Sequence, residues 1–185
     1  MSTTSDVKPV PAEPVPEKDG LIHGVAAAEL QAICTTALDA RSGAYCPYSL
    51  FRVGAALLLH KEDAEGKKVL KGANIENASY PVGTCAERVA MGAAVFAGHK
   101  LGSFKAVGVA TDMTEFCSPC GMCRQFLREF LSLDTPIFMF NKEGKFIVRT
   151  MGEILPLSFG PDVLPPKEEL RKRLNEEELK GAGVR

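Results

Sequence analysis

The stretch SPCGMCRQFLREF (residues 118–130) decides how this chain is read. It places Cys120 and Cys123 three residues apart at the head of a segment that reads as a helix. Positions i and i+3 share a helix face, so the two sulfurs can close a redox disulfide or hold one half of a metal site. Outward from it, the chain alternates between helices and strands. PIFMFN (136–141) and KFIVRT (145–150) read as strands, and TMGEIL (150–155) as a short helix with Thr150 as N-cap. Upstream, FKAVGVAT (104–111) is a strand and CAERVAMGAAVFAG (85–98) an Ala-rich helix ending in Gly98. FRVGAALLLHK (51–61) and KVLKGANI (68–75) are two strands joined by the charged turn EDAEGK. In GVAAAELQAICTTALDARSG (24–43), Ala26, Leu30, Ile33, Ala37 and Leu38 recur near helical spacing, with Gly43 as the expected C-cap. This order predicts an α/β fold, a three-layer α/β/α sandwich around a mixed five-stranded sheet.

Composition narrows the function. The 185 residues are 45% hydrophobic and 24% charged, which suits one globular domain with a core of its own. The longest apolar run, VGAALLL (53–59), is too short to span a bilayer, so no membrane partner is expected. A net charge of −1 without a clustered basic surface argues against nucleic acid. The first twenty residues are Pro-rich, lack any aromatic residue, and show neither a basic n-region nor an apolar h-region. They are expected to form a disordered arm (1–20), ahead of a folded domain (21–162) and a charged, helical tail (163–185). A cytoplasmic location is expected, with nuclear access left open. In such a reducing compartment six cysteines should be thiols or metal ligands, which tilts the opening choice towards metal.

A catalytic zinc takes three protein ligands and leaves its fourth position to water. Cys120 and Cys123 supply two, and TCAERVA (84–90) offers Cys85 as the third, with Glu87 two residues on as general base. Positions i and i+2 of a helix face apart, so Cys85 must cap the helix rather than lie within it. Three thiolates around Zn²⁺ leave a charge of about −1, which weakens acidification of the bound water unless positive charge stands nearby. Two helix N-termini and Arg88, with Arg124 or Arg128 as further candidates, can provide it.

Cys-x-Glu followed by Pro-Cys-x-x-Cys is the zinc-deaminase pattern, in which the Glu shuttles protons and is no ligand. With it, AYCPYSLFRVGAALL, KGANIENASYP and EILPLSFGPDVL complete five ordered blocks, from about residue 44 to 162. In these the chain resembles the cytidine deaminase family acting on free nucleosides. The resemblance implies one Zn²⁺ per subunit on Cys85, Cys120 and Cys123, with Arg88 donating to a ligand sulfur. It implies hydrolysis of cytidine and 2′-deoxycytidine to the uridines and ammonia in pyrimidine salvage, by a zinc-bound water and the Glu87 shuttle. It also implies Phe51 on the pyrimidine ring, the Ala86 N–H on the base carbonyl, and Asn74 and Glu76 on the ribose 3′-hydroxyl. Asn74 and Glu76 point to one side of an extended strand, and an amide beside a carboxylate suits a sugar hydroxyl. A homotetramer is implied, with Ala78, Tyr80 and Phe159 contributed in trans to neighbouring sites. Met122 departs from the small residue common in the family's nucleoside members.

Other readings stand beside these. Cys117 could close a structural zinc site of four cysteines, which would leave Glu87 without a task. A deaminase of a modified cytosine nucleoside would share the three cysteines. Cys34 and Cys46 read as small core residues, His23, His60 and His99 as solvated, Phe51 as core packing, and Asn74 as a turn residue.

Overall fold

The computed structural model describes residues 7–166, with 168, 169 and 172. Helix α1 (Ala27–Ala40) follows three two-residue strands, β2 (Glu17–Lys18), β3 (Leu21–Ile22) and β4 (Val25–Ala26), which form a small antiparallel sheet. Two more strands, β5 (Val53–Leu59) and β6 (Val69–Ala73), precede α2 (Ala86–Phe96). Then come β7 (Phe104–Thr111), α3 (Gly121–Arg128), β8 (Pro136–Phe140), β9 (Lys145–Thr150) and α4 (Met151–Ile154). With β1 (Val10–Pro11) at one edge, the main sheet runs β1-β9-β8-β7-β5-β6. Within it β7 and β8 are parallel, β1 is parallel to β9, and the other pairs are antiparallel.

The uniform VGAALLL run is a strand covered on both faces, which is why it lacks polar alternation. Ala55, Leu57 and Leu59 pack with Ala86, Ala90, Met91 and Leu127 from α2 and α3. Ala56 and Leu58 turn the other way, onto Ile33, Ala37 and Leu38 of α1. Burying one such leucine contributes about 1.5–3 kcal/mol relative to leaving it in water. On the α2 face, Gly72 of β6 lets the helix lie directly against the strand. A Cβ there would stand 2.5 Å from the Ala90 nitrogen and 2.8 Å from its Cα.

The expected layers are present, but the sheet has six strands rather than five. The sixth comes from the segment expected to be a disordered arm, and residues 7–20 are ordered against the domain. Val10 N donates to Gly144 O (3.2 Å) and Ala12 N to Phe146 O (2.8 Å), extending the open edge of β9. Val7 and Val15 pack on the α1-side core, the Gln31 amide donates to Val7 O (2.7 Å), and Glu13 pairs with Arg149. The arm's composition is poor in anchors, and the rest of the domain supplies them. Gly43, the expected C-cap, lies instead in a 3-10 turn, Arg41–Gly43. At the N-terminus of α1, Glu29 reaches back to accept from the Ala26 N–H (3.1 Å). Thr150 caps α4 as expected, accepting from Glu153 N. The expected tail helix lies mostly outside the described residues. Among the described residues no helix is long and apolar enough to cross a membrane.

Candidate functional site

Three chain segments converge where the helices α2 and α3 begin. Ile75 forms a parallel bridge with Tyr45 and an antiparallel one with Thr84. Ile75 N donates to Thr84 O (2.9 Å) and Thr84 N to Ile75 O (2.8 Å), which sets Cys85 beside the Asn74–Glu76 strand end. Cys85 is the extended N-cap of α2 (φ −69°, ψ 155°) and Cys120 that of α3 (φ −65°, ψ 163°). Cys123 lies in the first turn of α3 and is buried.

The three sulfurs lie within 4.8 Å of one another, Cys85 and Cys120 at 4.0 Å. Cys117 is outside this cluster, so the fourth sulfur of a closed site is missing from the grouping. A hydrogen bond from the Cys123 thiol, then the Arg88 guanidinium, draws the Cys85 thiol down to about 5. Cys123 is pushed up, first by that same hydrogen bond to Cys85 and then by burial. The pair therefore gathers negative charge at Cys85, at a helix N-terminus that favours it. Arg88 Nη2 approaches Cys85 Sγ at 4.0 Å and Gly83 O at 3.4 Å, while its buried Nε has no partner among the described residues. Three soft donors at two positive helix ends fit Zn²⁺, whose catalytic sites take three protein ligands.

Glu87, beside the cluster, is buried at 4% exposure. Burial raises its carboxyl above the usual range, the Cys85 thiolate adds to the rise, and its own backbone N–H opposes it. Both raising effects favour the protonated carboxyl more than in an exposed glutamate. Arg124 and Arg128 do not serve the sulfurs. Arg124 clamps Pro119 O (2.7 Å), Ser118 Oγ (2.8 Å) and Ile154 O (2.8 Å), while Arg128 pairs with Asp162.

The polar strand end holds its neighbouring loop. Asn74 Oδ1 accepts from Val53 N and Nδ2 donates to Phe51 O, both at 2.8 Å. Glu76 accepts from Tyr48 N (2.9 Å), Ser49 N (3.3 Å) and the Ser49 hydroxyl. That hydroxyl bond, the strongest influence, keeps the Glu76 carboxyl below its usual range and therefore ionised at neutral pH. Ser49 Oγ also accepts from Phe51 N (3.0 Å), so it links Glu76 to the half-buried Phe51. Tyr48, Ser49, Glu76, Asn77, Tyr80 and Gly83 line a cleft of about 300 Å³.

Of the residues lining this cleft, Tyr48, Ser49, Asn77 and Gly83 are not assigned to it by the sequence. A serine two residues before Phe51 is a recognisable turn signal, but its bond to Glu76 spans 27 positions. Ala86 is buried at the first position of α2, where the helix leaves its N–H unpaired. Tyr80 is 75% exposed and stands on its own chain's cleft, its ring 5.9 Å from that of Tyr48. Ala78 is exposed nearby, Phe159 projects from the loop after α4 at 63% exposure, and Met122 is 63% exposed.

Comparison with known proteins agrees with this geometry. A family model described as the cytidine and deoxycytidylate deaminase zinc-binding region matches residues 27–139. The cytidine deaminase of Halalkalibacterium halodurans is 41% identical over 129 residues, which cover 70% of this chain and 92% of that protein. That of Sporosarcina psychrophila is 39% identical over 136 residues, 74% of this chain and 95% of the relative. The crystal structure of cytidine deaminase from Burkholderia pseudomallei superposes with a TM-score of 0.64 at 40% identity. It covers 69% of this chain and 97% of that one.

Proposed function

Because this chain belongs to the cytidine and deoxycytidylate deaminase family, we propose that it hydrolyses cytidine and 2′-deoxycytidine to uridine and 2′-deoxyuridine, releasing ammonia. The observation that carries this reading is the cluster of three sulfurs at two helix N-termini with Glu87 buried beside it. Cys85, Cys120 and Cys123 would hold one Zn²⁺, with Arg88 moderating the excess negative charge. When bound, the zinc supplies a Lewis acid that acidifies water at neutral pH.

Glu87 takes a proton from the water whose oxygen bonds to C4, and delivers it to ring N3. It then carries the remaining hydroxyl proton to the exocyclic nitrogen as the C4–N bond breaks, so that ammonia leaves and the C4 carbonyl forms. The Ala86 N–H would hold the base carbonyl, Phe51 would pack on the ring, and Asn74 and Glu76 would bind the 3′-hydroxyl. In that role Glu76 exchanges a hydrogen bond from Ser49 for one from the sugar.

The enzyme acts as a homotetramer in the cytoplasm, in pyrimidine salvage, with Ala78, Tyr80 and Phe159 serving neighbouring sites. The exposure of Phe159 supports that assembly. A panel of cytidine, 2′-deoxycytidine and cytosine, with ammonia as readout, tests the substrate class. Turnover of both nucleosides is expected, with little of the free base, and failure on both nucleosides would reject the reading. Cys117→Ser should keep zinc and activity, whereas loss of metal would make Cys117 a ligand.

A further inference from the structure

We propose that Arg128, through Asp162 and against Gly160, is the positioning residue that sets Phe159 for the site of a neighbouring copy. This rests on the deaminase reading and its shared sites. Arg128 is 3% exposed, an unusual place for a guanidinium. It donates to Ser158 Oγ (3.0 Å) and Leu131 O (3.4 Å), and it pairs with the Asp162 carboxylate. A buried arginine is tolerated only where its charge and donors are met, and here Ser158 and Asp162 meet them from either side of Phe159. Gly160 is the second condition. Its backbone is extended, so an alanine fits the conformation, but a Cβ would stand 2.4 Å from the guanidinium carbon.

Two further α3 side chains tie down this loop and the end of α4 before it. Gln125 Nε2 donates to Phe159 O (3.0 Å), and Arg124 Nη1 to Ile154 O (2.8 Å). The loop needs such ties because Leu157 sits at φ +54°, a left-handed conformation that strains a branched residue, with its side chain fully in solvent. Phe159 is thus tied at its backbone and flanks while its ring stays 63% exposed. One helix therefore serves two sites: its N-terminal cysteines belong to its own, and its C-terminal half, Arg124 to Arg128, presents an aromatic ring to another.

The test compares wild type with Gly160→Ala, Asp162→Asn, Asp162→Glu and Phe159→Ala. Cytidine KM and kcat, zinc per chain, native mass and melting temperature are measured for each. Slackening a positioning contact by a fraction of an ångström should raise KM about tenfold in Gly160→Ala. In Asp162→Asn a smaller rise of about threefold is expected, since that carboxylate is half in solvent. In Gly160→Ala and Asp162→Asn, zinc, mass and kcat should stay near wild type, and Asp162→Glu should restore KM. A purely structural role would lower the melting temperature and leave KM alone, which overturns the proposal. An unchanged KM in Phe159→Ala overturns it as well. If wild type is active and both Gly160→Ala and Asp162→Asn match it, the positioning claim alone fails. If wild type does not deaminate cytidine, the functional reading fails and takes this inference with it.

Discussion

Replacing Gly72 with alanine should injure the site far more than the fold. The added Cβ would meet the Ala90 nitrogen at 2.5 Å, which is 0.9 Å short of the 3.4 Å where ordinary contact begins. Its other neighbours, Ala90 Cα at 2.8 Å and Ala86 O at 3.0 Å, are also helix backbone, so no side chain can swing aside. Helix α2 must lift from β6 by most of an ångström. Overpacking of this kind costs about 1–3 kcal/mol, which leaves a domain of ordinary stability folded. The same lift moves Cys85 and Glu87, at the cap and first turn of α2, relative to Cys120 and Cys123 on α3. A misplacement of about 1 Å can cost about 10²-fold in rate. The expected result is a cooperative melt shifted downward by several degrees, weakened zinc retention, and kcat/KM for cytidine reduced about a hundredfold. Full zinc occupancy with kcat/KM within about twofold of wild type would refute the argument that α2 contact with β6 sets the cluster.

Three other perturbations test separate parts of the structure. Removing residues 1–16 should lower the denaturant midpoint, because Val7, Val15 and the strand on β9 are lost, while kcat/KM stays unchanged. A midpoint equal to full length would make the arm dispensable. Burial pulls the Glu29 carboxyl up, but hydrogen bonds from Lys105 and the Ala26 N–H outweigh it, so its folded pKa is depressed. Its stabilisation is therefore present above the ordinary glutamate value of about 4.3 and fades as pH falls below it. Glu29→Gln should flatten stability against pH in that acid window, and an unchanged slope there would contradict the assignment. Burial pushes the Cys34 thiol up to about 12, leaving about 10⁻⁴ of it as thiolate at pH 8. It should resist alkylation until the protein unfolds, so labelling of the native protein at a surface-thiol rate would contradict its core position.

Much of the site was legible because its chemistry is local. The conflict between a Cys85 ligand and a Glu87 base two residues on forces Cys85 out of the helix, and it is the N-cap. The both-face burial of β5 follows from a run with no polar alternation. What stayed hidden depends on partners distant in sequence. The pairing of Val10 with Lys145 joins residues that composition treats separately, so an arm that looks unfoldable alone becomes a sixth strand. Asn74 and Glu76 were legible as polar groups on one side of a strand. Their existing bonds to the backbone of residues 48–53 were not, because that loop's path depends on the Tyr45–Ile75 bridge. The buried charge of Arg128 was hidden for the same reason, since its partners lie 30 and 34 positions away.

The proposed hydrolysis depends on Glu87 moving protons beside a three-sulfur zinc site. The most direct measurement is ammonia release from cytidine by wild type and Glu87→Gln, with zinc determined on the same samples. Wild type should turn over with one zinc per chain, and the variant should keep its zinc while losing about 10²–10⁴-fold in kcat, the usual contribution of a general base. A zinc-loaded variant as active as wild type, or a zinc-loaded wild type that releases no ammonia, would contradict it.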